Sequence, residues 1–202
     1  MKRIVAMVTL VTFVLLAIAM YSAYAAPEPG KWEAGGGPAI SQNSDLDNGW
    51  QAYVKYRWGD EMQYQAVYAH IDGLGLDETF RFGHGGGDFV SSSHCGPTLN
   101  LDYNAKADFL GVGREWRSGR LRAGIAIGAA RSVQDAILTL SCGHEQYSES
   151  CSDTTTRFAF RPDLTYQLTD SGWKVVASYL GTGVKDTSNY SVMLGKSWAT
   201  GN

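Results

Sequence analysis

Six side chains that could hold a metal or form a covalent bridge fall in two stretches of the chain. The first stretch holds His84, His94 and Cys95; the second holds Cys142, His144 and Cys151. Thiolate and imidazole donors suit zinc, and Cys142-x-His144 could combine with His94-Cys95 to supply them. That spacing matches no standard zinc finger, and an oxidising surrounding competes for the thiols. A Cys142–Cys151 disulfide is therefore expected ahead of a metal, with Cys95 left over or bonded to another chain. Closing that short loop would stabilise the fold by about 2–3 kcal/mol through lost unfolded-state freedom. The glycine-rich run "FGHGGGD", residues 82–88, has no strand before it and no helix after it, so it reads as a flexible loop rather than a phosphate cradle. His70 shares a face with Tyr68 and reads as an interfacial side chain rather than a catalyst. No cofactor is expected.

The elements that position these residues begin after a separate N-terminal segment. Lys2 and Arg3 precede a nearly unbroken apolar run from Ile4 to Met20. Ala23-Tyr24-Ala25 then offers a small-x-small cleavage site, followed by Pro27 and Pro29. Residues 1–25 are expected to be a secretory signal peptide, leaving one domain over 26–202. The whole chain carries a formal charge of −3, and the domain without Lys2 and Arg3 is more acidic still. Nothing suggests nucleic acid, which would require a basic stripe. No later run is long enough for a membrane helix, but a closed barrel of strands can also span a membrane.

Aromatic and β-branched residues recur at alternate positions, which is the strand signal. Strands are expected near 31–41, 49–59, 61–72, 106–117, 120–133, 156–168, 172–182 and 188–199. Leu121, Ala123, Ile125, Ile127 and Ala129 oppose Arg122, Gly124, Ala126, Gly128 and Ala130. Trp50, Ala52, Val54, Tyr56 and Trp58 oppose Gln51, Tyr53, Lys55 and Arg57. Pro162 should mark a bulge or bend. Short turns at "WGDE", "RSGR" and "TDSG" alternate with longer connections, of which 73–105 and 134–155 are expected to be long loops. An up-and-down meander places all short turns and both termini at one end.

Alternation alone does not say whether the apolar face meets a core or lipid. Tryptophan placement discriminates. Trp32, Trp58, Trp116, Trp173 and Trp198 all fall at the turn end, as an interfacial girdle would. Trp50, Tyr68 and Tyr190 could supply the other interface. The opposite face carries Glu33, Gln51, Lys55, Arg57, Gln63, Gln65, Arg122, Arg157, Arg161, Asp163, Gln167 and Lys174, which suits a packed polar lumen. The expected fold is all-β: an eight-stranded antiparallel up-and-down transmembrane β-barrel.

Signal peptide, eight alternating strands and short turns on one side together resemble the small bacterial outer-membrane barrels. The resemblance implies an outer-membrane location and contact with lipid and lipopolysaccharide. It also implies a monomer with a structural, adhesion or recognition role at its extracellular loops, where an extracellular ligand or host surface could bind. The last hairpin, "WKVVASYLGTGVKDTSNYSVMLGKSW", resembles the lipid A 3-O-deacylase (PagL-like) family, whose penultimate strand carries a His-x-Ser pair. Here Ser178 and Leu180 occupy those positions, so the dyad is absent and enzymatic hydrolysis is not expected by that route. A lipid A-modifying hydrolase using other residues remains the enzymatic alternative. A soluble periplasmic lipocalin-like binder of an apolar ligand is the other, on the slender basis of Gly30-Lys31-Trp32.

Overall fold

A computed structural model describes residues 32–58, 63–81, 98–142 and 145–198, the side chains of 63, 81 and 142 excepted. The expected signal peptide lies outside the described residues. Eight strands run in order: β1 (Trp32–Ser41), β2 (Gly49–Trp58), β3 (Gln63–Arg81), β4 (Thr98–Ser118), β5 (Leu121–Cys142), β6 (Glu145–Gln167), β7 (Trp173–Leu180) and β8 (Asn189–Trp198). Each pairs antiparallel with the next, and β1 pairs with β8, closing the barrel. Closure removes the unpaired edges that an open sheet would expose.

The alternation of the sequence sorts side chains as expected. On β5, Ile125 and Ile127 are exposed on the outside, whereas Arg122 and Ala126 are buried inside. Trp50, Val54 and Trp58 of β2 point out, and Gln51, Lys55 and Arg57 point in. The polarity is the reverse of a soluble barrel's. Leu110, Phe158 and Leu194 are more than half exposed on the exterior, while Lys55, Arg161 and Lys174 are fully buried.

Two connections differ from expectation. Residues 134–155 are not a loop: β5 and β6 pair in unbroken register from Leu121↔Tyr166 to Cys142↔Glu145. The described parts of 73–105 are strand as well, because β3 runs to Arg81 and β4 starts at Thr98. The β3–β4 register shifts once, between Ile71 and Leu74, around Gly73. Gly73 has φ 77°, a left-handed conformation that suits glycine, and the shift inverts which parity faces inward beyond it. Pro162 behaves differently from the expected bulge. Asp163↔Ser178 and the isolated bridge Phe160↔Gly181 keep one register, so proline leaves a gap in the ladder without shifting it. The two-residue turn of the β4–β5 hairpin uses Gly119 at φ 59°.

Candidate functional site

The lumen and the sheet above it have different chemistry. Near the turn end the lumen holds one connected ion-pair network. Glu33 accepts from Tyr53 at 2.8 Å and pairs with Arg57 and Lys174. Glu115 accepts from Lys55 at 3.2 Å, Arg57 at 2.6 Å and Arg122 at 2.9 Å. Asp163 pairs with Lys55 at 3.1 Å and Arg161 at 3.0 Å. Arg161 also lies over the Tyr53 ring, 5.0 Å from its centroid. Phe109, Val176, Leu180 and Met193 are buried inside as well. Charges withdrawn from water must be paired to be tolerated, and this arrangement pairs all of them around three carboxylates.

Above the lumen, the final loop closes the mouth. Asp186 accepts from Asn43 at 2.8 Å, Tyr103 at 2.7 Å and Gln134 at 3.1 Å. Burial, then the hydrogen bond and charge of Asp186, raise the Tyr103 phenol above its ordinary pKa. Thr187 bonds Ser132 and Thr182 beneath it.

Beyond this plug, β3, β4, β5 and β6 continue as a four-stranded sheet. Strand pairing of β3 with β2 ends at Asp72, and that of β6 with the β7 side ends at Phe160. The projecting part therefore has two faces and two edges without strand partners among the described residues. Successive side chains alternate between the faces. The face that continues the lumen carries aligned cross-strand rows. Phe80, Leu99, Leu140 and Tyr147 form one row, and all four are apolar or aromatic. Glu78, Leu101, Leu138 and Glu149 form the next, with a carboxylate at each edge. Leu76, Tyr103, Ala136 and Cys151 form the third. Phe80, Leu138 and Leu140 are each more than two-fifths exposed, and Tyr147 more so. The other face is mostly polar, the exposed Ile137 apart: Lys106 pairs with Asp135 at 3.6 Å, and Ser152 donates to Asp135 at 2.6 Å. A sheet with one exposed apolar face is unusual without something to cover it.

The structure places the sequence-predicted residues as follows. Trp58, Trp116, Trp173 and Trp198 are exposed on the outside at the turn end, and Trp32 sits among them, paired in register with Trp198 and 4.7 Å from the Tyr56 ring. Trp50, Tyr68 and Tyr190 are exposed nearer the other end. The Cys142–Cys151 disulfide is not formed. Cys151 is a free, exposed thiol opposite Ala136, while Cys142 lies opposite Glu145. Six residues of strand separate Cys142 from Ala136, about 20 Å at ~3.3 Å per residue, far beyond disulfide reach. Of the metal candidates, His94, Cys95, His144 and the Cys142 side chain lie outside the described residues. No group of metal-binding side chains occurs among the described residues.

Ser178 and Leu180, aligned with the deacylase positions, both turn into the lumen. The Ser178 hydroxyl lies 2.8 Å from that of Ser191. His70 Nδ1 lies 2.8 Å from Asp108 on the exterior, and Tyr68 donates to the same carboxylate at 2.7 Å. No serine, threonine or cysteine is hydrogen-bonded to this pair among the described residues.

Sequence reasoning missed Glu115, the acid that three cations share. The signal was available: Glu115 lies between outward Arg114 and outward Trp116. It missed the projecting sheet too, although Ala136, Leu138 and Leu140 alternate.

No protein-family model and no curated protein sequence matches the chain. Solved structures do. Ail, the attachment invasion locus protein of Yersinia pestis, is similar with a TM-score of 0.48 and 15% identity, covering 84% of this chain and 98% of Ail. The same protein in complex with the heparin analogue sucrose octasulfate gives 0.44 at 15% identity and the same coverage. The N-terminal β-barrel domain of Pseudomonas aeruginosa OprF gives 0.34 at 10% identity, covering 83% of this chain and 96% of that domain.

Proposed function

We infer that the protein is a bacterial outer-membrane β-barrel whose projecting sheet recognises a partner at the cell surface, in adhesion or a related role. One observation carries the reading: a closed eight-stranded ring has an apolar exterior and a charge-filled interior. Water outside would leave Leu110, Val112, Ile127 and Leu194 without favourable surroundings, whereas acyl chains solvate them. The turn-end tryptophans fit an interfacial belt, with Tyr68 and Tyr190 toward the other. Strands β1, β2 and β8 have 10 residues each, the length that crosses a bilayer when tilted.

The same polarity supports this reading over a soluble lipocalin-like binder, whose interior would be apolar and open to a ligand. The dyad positions support it over a deacylase: Leu180 stands where the nucleophilic serine would, and Ser178, where the base would, faces inward against Ser191. Export through residues 1–25, lipopolysaccharide around the barrel and a monomeric state belong to the same proposal.

Cell fractionation tests it. The chain should fractionate with outer membranes and migrate faster unboiled than boiled. A membrane-impermeant maleimide should label Cys151 on intact cells, and C151S should remove that labelling. Recovery in the soluble periplasmic extract would end the proposal.

A further inference from the structure

The inward face of the projecting sheet is apolar at its centre and acidic at its margins. Leu99, Leu101, Leu138 and Leu140 occupy the two central strands. Glu78 lies on β3 and Glu149 on β6, in the same cross-strand row. Three strand spacings separate them, about 14 Å. An α-helix with its side chains is about 10–12 Å wide, so one helix fits between the two carboxylates. Glu145 and Asp153 extend the acidic margin along β6, on the same face as Glu149. The basic residue on this side of β6, Arg157, lies at the base of the sheet and donates to the Gly183 carbonyl at 3.0 Å, and neither Glu78 nor Glu149 has an ion-pair partner among the described residues.

We propose that this face binds a cationic amphipathic polypeptide segment. The segment's apolar stripe covers the four leucines, and basic residues on either flank meet Glu78 and Glu149. The argument is charge complementarity around an apolar strip of helix width. Apolar contact supplies affinity, while the paired margins set orientation and exclude anionic partners. The proposal rests on the reading that the projecting sheet is displayed outside the membrane.

The test uses the full chain in nanodiscs of zwitterionic lipid, so that the bilayer itself carries no charge to attract the probe. The probe is a fluorescein-labelled Leu/Lys peptide with leucine at helical i, i+3, i+4, i+7 spacing, followed by anisotropy with empty nanodiscs as baseline. Binding above baseline is expected, weakening as salt rises. E78Q/E149Q should weaken it about tenfold, and L101S/L138S should bring it to baseline. Heat-modifiable mobility of each variant checks that its barrel has formed, since the substituted side chains lie outside the lumen.

Binding no stronger than to empty nanodiscs, or equal in wild type and both variants, overturns the proposal. A glycine–serine replacement of residues 82–97 that creates binding absent from the wild type also overturns it, because the chain's own connection would then be the occupant. So does a concentration-dependent dimer that L101S/L138S dissolves, because a second copy would then be the occupant. Surface labelling of Cys151 separates these failures from failure of the membrane reading: labelled cells with no peptide binding refute only the partner.

Discussion

Glu115 is the residue on which the lumen most depends, and E115Q is the perturbation that measures this. Its carboxylate contacts Lys55, Arg57 and Arg122, all buried. Among the described residues the network contains five cations, Lys55, Arg57, Arg122, Arg161 and Lys174, and three anions, Glu33, Glu115 and Asp163. Glutamine preserves the shape and removes one negative charge from the network. Stripping one partner from a buried pair costs about 3–5 kcal/mol, because the remaining charge stays out of water without compensation. The loss at Glu115 should lie at the upper end of that range, since three cations lose their shared partner.

Reversible urea unfolding in zwitterionic vesicles, followed by tryptophan fluorescence, reads the change as a shift of midpoint at constant slope. D170N is the internal control. Its Arg120 pair is 3.2 Å long but lies near the surface, with Asp170 69% exposed, so its loss should cost under about 1 kcal/mol. The double variant E115Q/R122Q removes one of the cations that Glu115 contacts together with the carboxylate and should recover part of the stability lost in E115Q. A midpoint shift for E115Q no larger than that for D170N would refute the reasoning that the buried network holds the lumen together.

Three further outcomes follow from local geometry. A side chain at Gly124 would meet Asp163 Oδ1 and Gln65 Nε2, each 2.9 Å from the position of its first carbon, so G124V should destabilise the barrel by about 1–3 kcal/mol in the same unfolding assay. D186A leaves Tyr103, Asn43 and Gln134 without their acceptor and should cost about 1–3 kcal/mol, with faster amide exchange in residues 181–188. Because Cys151 carries a free thiol, denatured protein that was never reduced should take up an alkylating reagent there, as peptide mass mapping would show.

The barrel was legible in the sequence because its exterior and interior impose opposite demands on neighbouring residues. Leu121 to Ala130 shows this most simply, with isoleucines facing out and Arg122 and Gly124 facing in. The upper halves of β3 to β6 were not legible for a physical reason. On β6, Glu145 to Thr154 is exposed on both faces, so no apolar period marks it as a strand. Its register is held by backbone pairing with β5, which leaves no trace in side-chain hydropathy. On β3 the register shift at Gly73 inverts the alternation midway, so the pattern breaks where the strand does not. The expected disulfide failed with the expected loop. Two cysteines nine positions apart can meet across a compact loop but not when the chain between them pairs as two strands in the register Cys142↔Glu145 and Ala136↔Cys151. The candidate surface has no linear motif, since Glu78 and Glu149 become members of one row only through three strand registers.

The account's central claim is that the apolar face of the barrel meets lipid. Spin labels placed one at a time along β5, from Leu121 to Ala130, test it most directly in reconstituted bilayers. The account predicts that labels at 123, 125, 127 and 129 collide often with oxygen and seldom with a water-soluble nickel chelate. A label at 122, where a long side chain already lies inside, should be shielded from both, and the glycines at 124 and 128 are left unlabelled because a first carbon there would clash. High nickel-chelate accessibility at 125 and 127 would show that this face meets water, and would contradict the membrane barrel.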